Sequence, residues 1–200
     1  LGLALAVITA LAPDFGIARG TYVIGTKSFT EQYVLGALMQ QRLAASGLTS
    51  ARRDGLGSAV VFKALTAGDI DVYVDYSGTL WADAMHRNDL PGRTARLDQI
   101  ATWLKQQYGI VTAGPLGFEN AYVFAMRAAR ARALHVQSLA DLASRAPALK
   151  IGGDFEIFSR PEWRGMVRAY GISFAAQRQY QPDFLYRAVA NGDVDVISAF

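Results

Sequence analysis

Two basic residues stand where a chain is well placed to hold an anion. Lys27 directly precedes Ser28, and Arg160 directly follows Ser159. Each serine opens a run with capping-box spacing, Ser28 to Glu31 and Ser159 to Glu162. The free N–H groups of a helix start attract anions. A carboxylate held by Lys27 and Arg160 would therefore meet a charge-assisted donor and a helix mouth from each. A second chemistry lies with tyrosines. In the run DVYVDYSGT, residues 71–79, strand alternation puts Tyr73 and Asp75 on one face and Val72, Val74 and Tyr76 on the other. Tyr76 then stands at the strand terminus, with Thr79 as a hydroxyl donor one turn later. Further on, Asn120-Ala-Tyr122 opens another strand. Rings at two strand ends suit a quaternary ammonium, which cannot donate hydrogen bonds and is held by π faces. By residue type alone, the same groups also read as surface charges near helix starts and as half-buried packing tyrosines.

Other chemistries find little support. The chain has Cys 0, which removes disulfides, thiolate metal sites and cysteine nucleophiles, and His86 and His135 have no partner at metal-ligand spacing. No metal or cofactor is expected. Asp69/Asp71 and Asp193/Asp195 look like carboxylate pairs, but i,i+2 residues of a strand share a face without converging on a substrate; they are expected to cap a glycine turn. With no Ser-His-Asp order and no phosphate-binding glycine loop, the expectation is that this is not an enzyme. Lys+Arg 20 against Asp+Glu 17 gives 20 − 17 = +3, and only Arg127, Arg130 and Arg132 cluster, without interleaved aromatics. That cluster reads as a solvated helix face, so nucleic acid is not an expected partner. A hydrophobic share of 52% with 18% charged residues is enough to bury a full core.

The elements that must position these residues repeat. FKALTAGDIDV, 62–72, is answered by YRAVANGDVDV, 186–196, each a helix end, a glycine stop and a strand. Upstream, YVIGTKS, 22–28, parallels LKIGGDF, 149–155, a short apolar strand ending in glycine and a polar loop. Two echoes in one order indicate two related lobes. Strands are expected over 22–25, 50–53, 71–76, 121–126, 149–152 and 194–199. Helices are expected over 30–46, 58–67, 94–108, 138–143, 161–170 and 183–191. Alternation of this kind favours open, largely parallel α/β sheets whose ligands sit at strand carboxyl ends. GPLG, 114–117, reads as a crossing, giving lobes over 21–115 and 116–200. The apolar start, LGLALAVITALAP, fits the core of a signal peptide, with a small-x-small site at Ala10-Leu11-Ala12, or the last turns of a transmembrane helix. Residues 1–20 are therefore expected to be such a remnant.

Three segments carry a resemblance: IGTKSFTEQYVLG at 24–36, GDIDVYVDYSGT at 68–79 and GDVDVISAF at 192–200. Together they resemble the osmoprotectant-binding components of ABC importers, which take glycine betaine, choline, carnitine or proline betaine. The resemblance runs from about Tyr22 to Phe200. It implies a two-lobed type II periplasmic-binding fold, here with the C-terminal return segment missing, that closes on a quaternary ammonium ligand. It implies Lys27, Thr79 and Arg160 on the ligand carboxylate and Tyr76 and Tyr122 in an aromatic cage. It also implies an ABC permease with its ATPase subunit as partner, membrane association through that permease or by fusion to it, and a periplasmic or extracytoplasmic location. The family usually carries Asn at the position of Ser28 and Pro-Glu at Val74-Asp75. The alternatives are a ligand-sensing domain of a regulator, or a binding protein for another small zwitterion or amino acid.

Overall fold

Strand β2, Tyr22–Lys27, lies against helix α1, Thr30–Ala45, at a distance only glycine permits. A Cβ on Gly36 would come within 2.5 Å of the Thr26 methyl, and one on Gly25 within 2.4 Å of Ile70. These two glycines let α1 and the Ile70 turn press onto β2, which fixes Lys27 at the strand's carboxyl end. The computed structural model describes residues 3–9, 20–89 and 91–199, and the chain divides into two compact units, 1–120 and 121–200.

In the first unit five strands pair in the order β3-β2-β4-β1-β5. These are β1, Leu3–Thr9; β3, Ser50–Leu56; β4, Val72–Tyr76; and β5, Ile110–Glu119, with β2 parallel to β3 and β4. Helix α2, Ser58–Ala67, ends on Gly68 at φ 78°, the left-handed C-cap that turns the chain into β4. A one-turn helix α3, Ser77–Thr79, and a wide turn, Leu80–Ala84, follow β4 and lead towards α4, Arg93–Tyr108. The core gathers Val61, Leu65, Ile70, Tyr73, Leu80, Trp81, Ile100, Leu104 and Ile110.

The second unit pairs its strands β6-β9-β7-β8: β6, Val123–Met126; β7, Lys150–Gly153; β8, Ala176–Gln179; β9, Val196–Ala199. Strand β7 runs parallel to β8 and β9, and β6 antiparallel to β9. Helices α5, Ala128–Leu134, and α6, Leu139–Arg145, precede β7, while α7, Pro161–Tyr170, and α8, Pro182–Asn191, follow it. Trp163 of α7 packs among Phe124, Phe158 and Phe174. The two copies of the repeat occupy equivalent places. Helix α8 ends on Gly192 at φ 85° and leads into β9, as α2 ends on Gly68 and leads into β4. Each following strand pairs in parallel with the strand of the upstream echo, β7 or β2.

Three expectations change. The apolar start enters the sheet over residues 3–9 as β1, antiparallel to both β4 and β5, rather than forming helical turns. A short apolar run carrying Val7, Ile8 and Thr9 does not distinguish strand from helix by periodicity, and β-branching favours the strand. The small-x-small site at Ala10–Ala12 lies outside the described residues. GPLG is no crossing: 114–117 lies inside β5, where Gly114 and Gly117 adopt φ 109° and 84°, and the pairing with β1 shifts register around 112–119 instead of breaking. The units part after Asn120, five residues beyond the expected boundary. The capping boxes at Ser28 and Ser159 are not formed either. Helix α1 starts after Phe29 and α7 after Arg160, with Pro161 setting the first helical position. The capping box that does form joins Ser138 and Asp141 at α6.

Candidate functional site

In the first unit Lys27, at the end of β2, is buried, and its ammonium is ion-paired with Asp75 of β4. As alternation predicts, Tyr73 shares the face of Asp75, and its hydroxyl donates to the other carboxylate oxygen. The Tyr76 amide donates to Asp75 at 2.7 Å. The carboxylate thus collects an ammonium, a phenol and a backbone N–H, which compensates the burial of its charge. Tyr76 closes the strand. Its hydroxyl donates to Glu31 and accepts from Gln32 Nε2 at 3.0 Å and from Asn120 Nδ2 at 3.5 Å. Lys27 Nζ lies 5.3 Å from the centroid of the Tyr76 ring, and Phe29 packs against that ring at 5.8 Å. Thr79 is buried in the turn beyond β4.

The second unit builds the same relation from other elements. Tyr122, just before β6, donates its hydroxyl to Asp154 at 2.8 Å. The second oxygen of Asp154 accepts the Glu156 and Ile157 amides at 2.9 and 2.7 Å, fixing the turn between β7 and α7. Arg160, buried at the start of α7, places its guanidinium 5.7 Å from the Tyr122 ring centroid and pairs with Glu156 at 2.5 Å. In each unit, then, a tyrosine has a cation near its ring, a carboxylate on its hydroxyl and a further carboxylate on that cation. Counting the ionised forms, Lys27, Asp75 and Glu31 sum to −1, and so do Arg160, Asp154 and Glu156.

The tyrosine hydroxyls resist ionisation. Burial raises the pKa of Tyr73 and Tyr76 most, reinforced by Asp75 and Glu31 respectively. Burial also raises Tyr122 most, with Arg160 opposing and Asp154 adding to the rise. All three stay neutral hydrogen-bond donors, with π faces that attract cations and hydroxyls that stay anchored.

Lys27, Tyr76 and Thr79 lie at the end of the β2/β4 pair, and Tyr122 and Arg160 lie together in the second unit. Sequence reasoning missed the carboxylates Glu31, Asp154 and Glu156 and the amides of Gln32 and Asn120, and gave Asp75 no role. Glu31 and Gln32 sit inside the GTKSFTEQ segment, which was the available signal. Of the four aspartates expected to cap the glycine turns, two reach a neighbouring strand: Asp71 accepts the Val23 amide at 2.8 Å and Asp195 the Lys150 amide at 3.0 Å. No group of His, Cys, Asp or Glu suited to a metal occurs among the described residues.

Known proteins with similar sequences share this frame. The chain is 26% identical over 203 residues to a Helicobacter pylori ergothioneine transport permease/ergothioneine binding protein, covering 100% of this chain and 36% of that one. It is 30% identical over 194 residues to a Pseudomonas aeruginosa glycine-betaine-binding protein, covering 88% and 60%. The chain thus spans roughly a third to three-fifths of these relatives' lengths. A solved glycine betaine/carnitine/choline ABC transporter structure superposes with TM-score 0.64 at 22% identity, over 89% of this chain and 68% of that one. The fold is that of the type II periplasmic-binding proteins. The family model for the substrate-binding domain of ABC-type glycine betaine transport systems matches residues 20–200. With that match over nearly its whole length, the chain belongs to this family of transport-system binding domains, whose members are binding components and not enzymes.

Proposed function

We propose that this chain captures a quaternary ammonium osmoprotectant, such as glycine betaine, for an ABC importer. Tyr76 and Tyr122 present ring faces to the trimethylammonium group, and Lys27, Thr79 and Arg160 meet the carboxylate. The observation that carries this reading is the paired arrangement of tyrosine and cation, with a protein cation 5.3 Å from the Tyr76 centroid and another 5.7 Å from Tyr122. Each neutral ring can face an ammonium, and each stands beside a basic side chain suited to the carboxylate of the same ligand. Bound ligand is handed to an ABC permease driven by its ATPase subunit, at the extracytoplasmic face of the membrane. Among the described residues no helix is long and apolar enough to cross that membrane. A different small zwitterion is the second reading, favoured by the ergothioneine-binding relative that aligns with 100% of the chain.

Calorimetric titration with glycine betaine, choline and ergothioneine tests the assignment. Arg160→Ala is expected to weaken glycine betaine by roughly 1.5–3 kcal/mol, the scale of a charged hydrogen bond. Choline, which has no carboxylate, loses much less. Equal losses for the two would remove Arg160 from the carboxylate, and tight binding of ergothioneine alone would favour the second reading.

A further inference from the structure

Resting on the quaternary ammonium reading, we infer that Asp75 and Glu156 set the charge selectivity of the site, by cancelling Lys27 and Arg160 so that a cationic head group is accepted. A cage that must take an ammonium has a difficulty here: each ring already faces a protein cation, and two like charges near one ring repel. Unopposed, Lys27 and Arg160 would make this a site for anions. Asp75 resolves the conflict in the first unit. Its carboxylate is 1% exposed, salt-bridged to an ammonium that is 2% exposed, and held by the Tyr73 hydroxyl and the Tyr76 amide. The pair adds no net charge, while Glu31 on the Tyr76 hydroxyl leaves the surroundings of that ring negative. Glu156 plays the same part for Arg160, with Asp154 in the place of Glu31.

The consequence is specific. Loss of either neutralising carboxylate frees a positive charge beside the ring. A ligand that is only a cation then loses affinity, whereas a zwitterion recovers part of the loss through its carboxylate. Lys27 and Arg160 thus contribute attraction for a carboxylate, and Asp75 and Glu156 contribute tolerance of the ammonium.

The test is titration of choline and glycine betaine into the full chain and its Asp75→Asn, Glu156→Gln and Lys27→Met/Asp75→Asn variants, with circular dichroism establishing folding. In each single variant the ratio of choline Kd to glycine betaine Kd is expected to rise roughly tenfold or more, the scale of one unit charge acting across several ångströms at a partly buried site. The double variant, which removes the freed charge, is expected to bring the ratio back to or below its starting value. Glu156, partly exposed, keeps the test decisive if Asp75→Asn does not fold. An unchanged ratio in a folded single variant, or a double variant that keeps the raised ratio, overturns the inference while leaving the ligand class intact. Failure of the unmodified chain to bind either compound overturns the ligand class itself, and the inference with it.

Discussion

The two tyrosine clusters hold the same kinds of chemical group but assemble them differently. In the first unit the cation and its carboxylate are 48 residues apart in sequence, and both are buried. The pair exists only when β2 and β4 are registered in one sheet. In the second unit Arg160 and Glu156 are four residues apart, and the Glu156 side chain is 35% exposed. That half is held by one turn, whose geometry Asp154 sets by accepting two backbone amides and the Tyr122 hydroxyl. One half is thus welded into a core, and the other is carried by a local turn. The same chemistry can be built from long-range or local contacts, but the cost of disturbing it differs.

Stability separates the halves most strongly. Asp75→Asn leaves the buried Lys27 ammonium without its counter-charge and is expected to destabilise the protein by about 3–5 kcal/mol in denaturant unfolding, the range for breaking a buried pair. Glu156→Gln also takes the charge from the partner of a buried cation, but that partner is partly solvated and the Gln oxygen still accepts from the guanidinium, so it is expected to cost less, about 1–3 kcal/mol. Comparable losses would show that the second half is equally embedded in its core.

Ligand binding should treat the halves more evenly. Tyr76 and Tyr122 each donate their hydroxyl to a carboxylate, so Phe is not a silent replacement at either position. The informative comparison is Phe with Leu, since both lack the hydroxyl and only Phe keeps the π face. At each site Leu is expected to bind glycine betaine more weakly than Phe by up to about 2 kcal/mol, the worth of a desolvated cation over a ring. If Leu matches Phe at one site and not the other, only one half carries the cage.

Alkali gives a smaller effect. The folded-state pKa values of Tyr73, Tyr76 and Tyr122 are raised above the ordinary tyrosine value of 10.0. A native state that holds its phenol protons more tightly is at full advantage below the unfolded pKa. It loses stability as pH rises beyond about 10, where the unfolded chain ionises first. Unfolding followed from pH 8 to 11 should show that decline, and Tyr122→Phe should shallow it. A flat profile would place these hydroxyls in solvent.

The contrast between local and long-range construction also explains what the sequence disclosed. The repeat 62–72 and 186–196 is local, and its outcome of helix, left-handed glycine and strand is found in both units. The shared face of Tyr73 and Asp75 followed from strand alternation. The partnership of Lys27 with Asp75 did not, because it depends on β2 pairing with β4 across 48 residues. Glu31 misled in the same way: its spacing from Ser28 suits a cap, yet a tyrosine 45 residues away claims the carboxylate. Strand β8 was missed because AQRQ carries three polar residues with exposed side chains and no apolar alternation. β5 was missed because Gly114, Pro115 and Gly117 look like punctuation, although in place they bend a strand that continues.

The proposed recognition of a positive charge through tyrosine faces is isolated by one pair of ligands. Glycine betaine and 3,3-dimethylbutanoate share a shape and a carboxylate, but the second replaces the trimethylammonium with an uncharged tert-butyl group. Titrated calorimetrically into the full chain, glycine betaine is expected to bind more tightly by roughly tenfold or more, as cation–π attraction at desolvated rings requires. Equal affinity for the two would mean that binding reads only bulk and carboxylate, contradicting recognition of the ammonium.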